Sequence, residues 1–176
     1  MWRLEAQLAR LRCWDLALCM RFNDAVRIAL LRKIFRIVSR LGDGIFWYML
    51  MLLLLASGGT QAVPPVVHMI VTGLACTWLY KWLKSKTSRP RPYQVVNSIF
   101  AGADPLDRFS FPSGHTLHAV AFSIIAIAYY PALAWLLVSF SVLVAISRLV
   151  LGLHYPSDVL AGAGLGALVA QISLQL

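Results

Sequence analysis

Three short segments of this chain place residue types that bind or transfer phosphate beside long apolar runs. They are residues 84–92, the run Pro112-Ser113-Gly114-His115, and Ser147-Arg148 followed by His154 and Asp158. Cationic and imidazole groups are costly in or near a bilayer, so their presence there indicates function. Together the segments predict a phosphate-handling site at one surface of a membrane protein.

The first segment carries Lys84 and Arg91 directly after an apolar run. An ammonium and a planar guanidinium can bind different oxygens of one phosphoryl group. Taken alone, the segment is equally typical of the cationic flank of a membrane span.

The second segment combines two features of an anion site. Ser113 is a natural N-cap, and a helix N-terminus presents unpaired N–H groups and the positive end of its dipole. Gly114 would let a phosphate approach the backbone, and His115 would lie in the first turn beside it. A lone histidine here is more often an interfacial residue, but the two other segments favour a chemical role.

The third segment holds an isolated charge and a histidine–carboxylate pair. Arg148 is the only charged residue between Arg108 and Asp158, and it lies near the end of an apolar run. A carboxylate such as Asp158 can accept from one nitrogen of His154 and leave the other nitrogen free to attack. With His115, this pair could supply a nucleophile and a general acid without a metal.

The composition is that of an integral membrane protein. The 176 residues fit one domain and are 60% hydrophobic, against about 45–50% in soluble domains. The net charge of +9 does not indicate nucleic acid, because the basic residues do not alternate with aromatic ones along a soluble scaffold. We expect the partners to be the bilayer and a phosphorylated lipid. The three cysteines have no metal or disulfide spacing and are expected to be free thiols.

The charge pattern divides the chain into residues 1–40 and a transmembrane domain, residues 41–176. Residues 4–37 show apolar positions at helical spacing with arginines on much of the other face, which predicts one or two amphipathic helices in the membrane interface. A solvated helical tail is the alternative. The predicted fold class is an all-α, polytopic bundle of about five transmembrane helices. The five runs are residues 45–56, 66–83, 113–130, 132–151 and 158–176.

Counting reversals along these runs places the three polar segments on the same side of the membrane. The last run contains Gly162, Gly164 and Gly166, whose small surfaces would allow close helix contact.

The three segments resemble the signature of the type 2 phosphatidic acid phosphatase superfamily over roughly residues 40–176. The resemblance implies a helical bundle that hydrolyses lipid phosphate or diphosphate esters with no metal and no cofactor. It implies that His154 attacks phosphorus to give a phosphohistidine, that Asp158 orients it, and that His115 protonates the leaving oxygen. It also implies a set of groups that bind the phosphoryl oxygens: Lys84, Arg91, Ser113, Gly114 and Arg148.

Several polar residues outside the signature have other expected roles. His118 follows His115 by one turn, and packing is at least as good an interpretation as a supporting role. His68 is expected to be structural, and Arg89 could share phosphate or headgroup contact. Asp104 and Asp107 are expected to solvate the loop before Phe109, and they are too few for a metal site.

The expected activity is hydrolysis of undecaprenyl diphosphate in a bacterial cytoplasmic (inner) membrane. A phosphatidylglycerophosphate or phosphatidic acid phosphatase, a lipid phosphotransferase and a non-catalytic lipid-binding scaffold are the alternatives. The nine cations of residues 1–40 favour a cytoplasmic site by the positive-inside rule. The family resemblance favours the periplasm, to which we give slight preference.

Overall fold

The computed structural model describes residues 2–176, whose regular secondary structure is entirely helical, with no strands. The described chain forms eight α-helices: α1 (Trp2–Asn23), α2 (Ala29–Arg40), α3 (Phe46–Gly58), α4 (Val63–Thr87), α5 (Pro92–Val95), α6 (Gly114–Tyr129), α7 (Ala134–Val150) and α8 (Pro156–Ser173). The five predicted apolar runs correspond to α3, α4, α6, α7 and α8, with ends that differ by a few residues. The residue 4–37 pattern corresponds to two helices, α1 and α2.

Helices α1 and α2 pack against the rest of the bundle, where α1 contacts α7 and α8 and α2 runs along α7. The buried face of α1 carries Asp15, Cys19 and Asn23, which recur every four residues and therefore share one side of the helix. Asn23 donates to the carbonyls of Phe100 and Val150, both at 2.9 Å. The polar stripe of α1 thus ties this helix to the loop after α5 and to the end of α7.

Helix α6 lies at the centre of the bundle, between α4, α7 and α8. Its contact with α8 is the closest, because Gly162 and Gly166 bring the two backbones together. A Cβ on Gly166 would lie 2.3 Å from the carbonyl oxygen of Leu117, and one on Gly162 would lie 2.5 Å from that of Ser113. Gly164 faces open space instead. Two of the three glycines therefore make the predicted helix contact.

We expect Gly166→Ala to destabilise the protein and Gly164→Ala to leave it unchanged or slightly more stable. Alanine gains roughly 1 kcal/mol of helix propensity at either position. At Gly166 the clash is with backbone, which no rotamer change relieves, and overpacking of this kind costs about 1–3 kcal/mol. Thermal unfolding of the purified proteins in one detergent should separate the two variants. Equal Tm values would contradict the close α6–α8 contact.

The outer surface of the bundle is apolar. Large hydrophobic side chains are exposed on several helices, including Leu53, Leu74, Trp78, Trp135 and Leu160. By length and composition, two helical stretches of the described chain could cross a membrane. The first, Ala29–Val95, includes α2 to α5, and the second, Pro131–Val150, includes α7. Gly114–Tyr129 is apolar but shorter. A surface of this kind is suited to lipid rather than water.

Candidate active site

The three polar segments converge on one cavity of about 850 Å³. Lys84 comes from the last turn of α4, Arg91 immediately precedes α5, and Arg148 lies in the last turn of α7. Six of the eight predicted site residues line the cavity: Lys84, Arg91, Gly114, His115, Arg148 and His154. Residues up to 70 positions apart in sequence are therefore brought to one end of the bundle.

His154 lies in the loop between α7 and α8 and is fully buried. Its Nδ1 is 3.6 Å from Oδ2 of Asp158, and its Nε2 is 3.3 Å from Nη1 of Arg91. Burial, together with the charges of Arg148 and Arg91, lowers the pKa of His154 well below its ordinary value. The imidazole is therefore neutral at pH 7, with Nε2 facing the cations and Nδ1 facing the carboxylate.

Asp158 lies behind His154 and is held by groups outside the cavity. The Tyr155 amide donates to Oδ2 at 2.9 Å, and Arg89 Nη1 donates to Oδ1 at 2.7 Å. Arg89 also donates to Asp15 on α1 at 2.8 Å and is not among the cavity-lining residues. Arg89 thus supports the His154–Asp158 pair from behind, a role that its Arg-Pro sequence context does not reveal.

Asp107 occupies the space between the two cations of the first segment. Both carboxylate oxygens accept from Lys84 Nζ at 2.7 Å, and Oδ1 also accepts from Arg91 Nη2 at 2.9 Å. Burial acts to raise the pKa of Asp107, but the hydrogen bonds and charges of Lys84 and Arg91 outweigh it and hold this pKa below its ordinary value. The sequence predicts only a solvating role for Asp107. The ionised carboxylate instead lies where two oxygens of a phosphoryl group would fit.

Arg148 is buried between this cavity and a second one of about 570 Å³. Its Nη1 donates to Ser39 Oγ on α2, and its Nε has no hydrogen-bond partner among the described residues. Asp43, His115 and Arg148 line both cavities, and the second one is bordered by Arg36 and other polar groups of α2 and the residue 101–106 loop. The cationic centre is therefore accessible from two directions.

Three further polar residues make packing contacts: Ser113, His118 and His68. The Ser113 hydroxyl pairs with Thr116 at 3.0 Å and does not line the cavity. His118 lines it, but Nδ1 lies 2.8 Å from the Gly114 carbonyl and Nε2 3.0 Å from the Thr77 hydroxyl. His68 lies between Tyr129 and Ser173, 3.0 Å from each hydroxyl. Both histidines are therefore held by neighbouring helices.

The cavity changes character along its length. The end near His154 is cationic, whereas the remainder is walled by large apolar side chains of α3, α4 and α6. These are Trp47, Met51, Ile70, Leu74 and Phe122. A ligand with a phosphate head and a hydrocarbon tail matches this division. In residues 2–176, no three His, Cys, Asp or Glu side chains are grouped closely enough to hold a metal ion.

Known proteins are similar to this chain in sequence. An undecaprenyl-diphosphatase from Sulfolobus acidocaldarius is 27% identical over 85% of this chain and 72% of its own length. The undecaprenyl-diphosphatase BcrC from Bacillus subtilis is 34% identical over 65% of this chain, an alignment that spans 56% of BcrC.

A solved structure matches as well. The transmembrane PAP2-type phosphatidylglycerolphosphate phosphatase from Bacillus subtilis superimposes with a TM-score of 0.73 at 26% identity, covering 94% of this chain and 85% of that one. Residues 61–176, more than half of the chain, match the PAP2 superfamily. The chain therefore belongs to the PAP2 superfamily and is a membrane lipid phosphatase, a phosphoric ester hydrolase.

Proposed function

We propose that the protein hydrolyses a lipid phosphate or diphosphate through a phosphohistidine on His154, without a metal. One observation carries this proposal: two histidines and three cations line the polar end of a cavity whose other end is apolar. The cations supply charge stabilisation that a metal provides in other phosphatases. The apolar end gives the hydrocarbon chain a place to lie.

In the first step the terminal phosphoryl group binds to Lys84, Arg91 and Arg148, and it replaces the Asp107 carboxylate on the first two. His154 Nε2 attacks phosphorus while the bond from phosphorus to the leaving lipid oxygen breaks. His115 donates a proton to that oxygen. Asp158 Oδ2 lies 3.6 Å from Nδ1, and its negative charge stabilises the positive charge that develops on the imidazole.

In the second step the lipid product leaves and water attacks the phosphohistidine. His115, now neutral, accepts a proton from this water, the N–P bond breaks, and orthophosphate is released. His115 also lines the second cavity, which is bordered by polar groups. We propose that water enters and orthophosphate leaves by this route while the hydrocarbon chain occupies the apolar cavity.

Undecaprenyl diphosphate is the substrate we favour. Two relatives of this chain are named as undecaprenyl-diphosphatases, and a diphosphate offers a phosphate leaving group that needs little assistance. A phosphatidylglycerophosphate phosphatase is the second candidate, favoured by the likeness to the Bacillus subtilis structure. A lipid phosphotransferase would use the same phosphohistidine with a lipid hydroxyl in place of water.

The test is phosphate release by the purified protein from a panel of lipid phosphates, with EDTA present. We expect full activity in EDTA and faster release from undecaprenyl diphosphate than from phosphatidylglycerophosphate or phosphatidic acid. Turnover that stops in EDTA and returns with a divalent metal would contradict the metal-free mechanism. Release from phosphatidylglycerophosphate alone would instead reassign the substrate.

We also propose five transmembrane helices (α3, α4, α6, α7 and α8), with residues 1–40 in the interface at the catalytic end. The location would be the bacterial cytoplasmic membrane, with the site towards the periplasm as in similar family members. The N-terminal cations oppose this orientation by the positive-inside rule. Labelling of single cysteines introduced at positions 97–101 in intact cells would determine the side directly.

A further inference from the structure

The Gly42-Asp43-Gly44 turn joins α2 to α3 and lies outside the part of the chain that matches the PAP2 superfamily. Gly44 has φ of 131°, a conformation that favours glycine. Gly42 packs directly on α7, where a Cβ would be 3.1 Å from Cγ2 of Val144. The two glycines allow the chain to turn sharply against the bundle, and the turn directs the Asp43 carboxylate to His115.

Asp43 Oδ1 is hydrogen-bonded to Nε2 of His115. Within residues 2–176, Asp43 is the sole side-chain hydrogen-bond partner of this histidine. The other charged or titratable groups that face His115 are Lys84, Arg148 and His154. Lys84 and Arg148 are cations, and their positive charges disfavour the protonated form of His115. The Asp43 carboxylate acts in the opposite direction, because its negative charge and its hydrogen bond stabilise the protonated ring that has a proton to donate.

The Asp43 contact also determines which ring nitrogen of His115 can exchange a proton with the substrate. Because Asp43 accepts the Nε2–H bond, Nδ1 is the nitrogen that remains for the substrate. Nδ1–H can be donated to the leaving oxygen, after which the neutral ring keeps its proton on Nε2. The Nδ1 lone pair can then accept a proton from water. One hydrogen bond thus equips the same ring for both steps.

We propose that Asp43 is the positioning residue of His115 and forms a second histidine–carboxylate pair beside His154 and Asp158. This inference rests on the proposed function, in which His115 is the general acid. The two pairs are reversed: Asp158 faces Nδ1 of its histidine and leaves Nε2 to attack, whereas Asp43 binds Nε2 and leaves Nδ1 to transfer protons.

The test compares two leaving groups in the full-length protein. Loss of a general acid slows expulsion of a lipid alkoxide from phosphatidic acid but has little effect on 4-nitrophenolate, which needs no proton. We expect Asp43→Asn to slow the first turnover of phosphatidic acid roughly tenfold to a hundredfold, and that of 4-nitrophenyl phosphate less than about threefold. Asp24→Asn is the control, since this exposed carboxylate pairs with Arg27 at the surface, lines neither cavity and should leave both rates unchanged.

A double-mutant cycle provides a second readout with the lipid alone. If Asp43 acts through His115, Asp43→Asn should have no further effect in a His115→Ala background. Equal slowing of both substrates, or effects that multiply in the double variant, would overturn the inference. A wild-type rate in Asp43→Asn, with the leaving-group difference intact in His115→Ala, would overturn it while leaving the proposed function standing. Absence of that difference in His115→Ala would overturn the proposed role of His115 itself.

The wild-type protein gives a check that does not depend on a variant folding. In ¹⁵N-histidine spectra, His115 should carry a proton on Nε2 in its neutral form. A neutral ring protonated only on Nδ1 would contradict the inference.

Discussion

Replacing His154 by alanine is expected to reduce phosphate release by a factor on the order of 10⁴ or more. His154 is the buried imidazole whose neutral form faces three cations, and no other nucleophile of the described chain occupies that position. Without it the phosphoryl group still binds to Lys84, Arg91 and Arg148, but the covalent step is lost. Initial rates of phosphate release and the amount of ³²P-labelled protein after an alkaline quench measure the two effects.

The control is His68→Ala, which removes a histidine at the opposite end of α4, between Tyr129 and Ser173. It should keep full activity and full labelling. The wild-type label should be acid-labile and base-stable, as expected for phosphohistidine, and should map to the peptide that contains His154. Near-wild-type labelling of His154→Ala would exclude this histidine as the nucleophile.

The helices, and the meeting of six predicted residues in one cavity, could be predicted from the sequence because both leave local signals. A long apolar run bounded by polar residues predicts a helix whatever its neighbours in the fold are. Lys84, Gly114 and Arg148 are conspicuous because they adjoin such runs. The helix ends then follow from these boundaries, and the convergence of the segments follows from counting reversals.

Asp43 and Asp107 could not be recognised in this way, because their roles depend on contacts between distant parts of the chain. Asp43 lies 72 residues from His115, and Asp107 lies 23 residues from Lys84. Each acid lies in a stretch without regular periodicity, where a carboxylate is ordinarily solvated. A weak signal exists for Asp43: its two flanking glycines indicate an unusual turn, although not what the turn faces.

The contacts that α1 and α2 make with the rest of the bundle could not be predicted from the sequence either. Their arginines and apolar residues predict an interfacial location, but the pattern does not reveal which polar residues are buried. Asp15 accepts from Arg89, Asn23 binds a loop and the end of α7, and Ser39 accepts from Arg148. Residues 1–40 therefore contribute to the support of the candidate site, although the superfamily match begins at residue 61.

Replacing Arg148 by methionine is expected to lower kcat/KM by a factor of roughly 10²–10³ while leaving thermal stability unchanged or increased. The guanidinium is buried, forms no ion pair within the described residues, and has one N–H without a partner. A buried charge in this condition is costly for folding. It becomes favourable when phosphoryl oxygens accept from the free donor as charge develops in transfer. Lipid phosphatase kinetics and Tm in detergent measure the two effects.

Arg148→Lys separates charge from geometry. Lysine keeps the positive charge but lacks the planar fork that can bind two phosphoryl oxygens at once, so we expect an intermediate rate. Vanadate, which adopts the trigonal bipyramidal geometry of phosphoryl transfer, should bind wild type most tightly, the lysine variant less, and the methionine variant least. A methionine variant that loses both stability and activity would mean that Arg148 holds α7 against Ser39 of α2, and its buried charge would then be structural. Loss of activity with stability retained requires instead that the missing partner of Arg148 is the substrate.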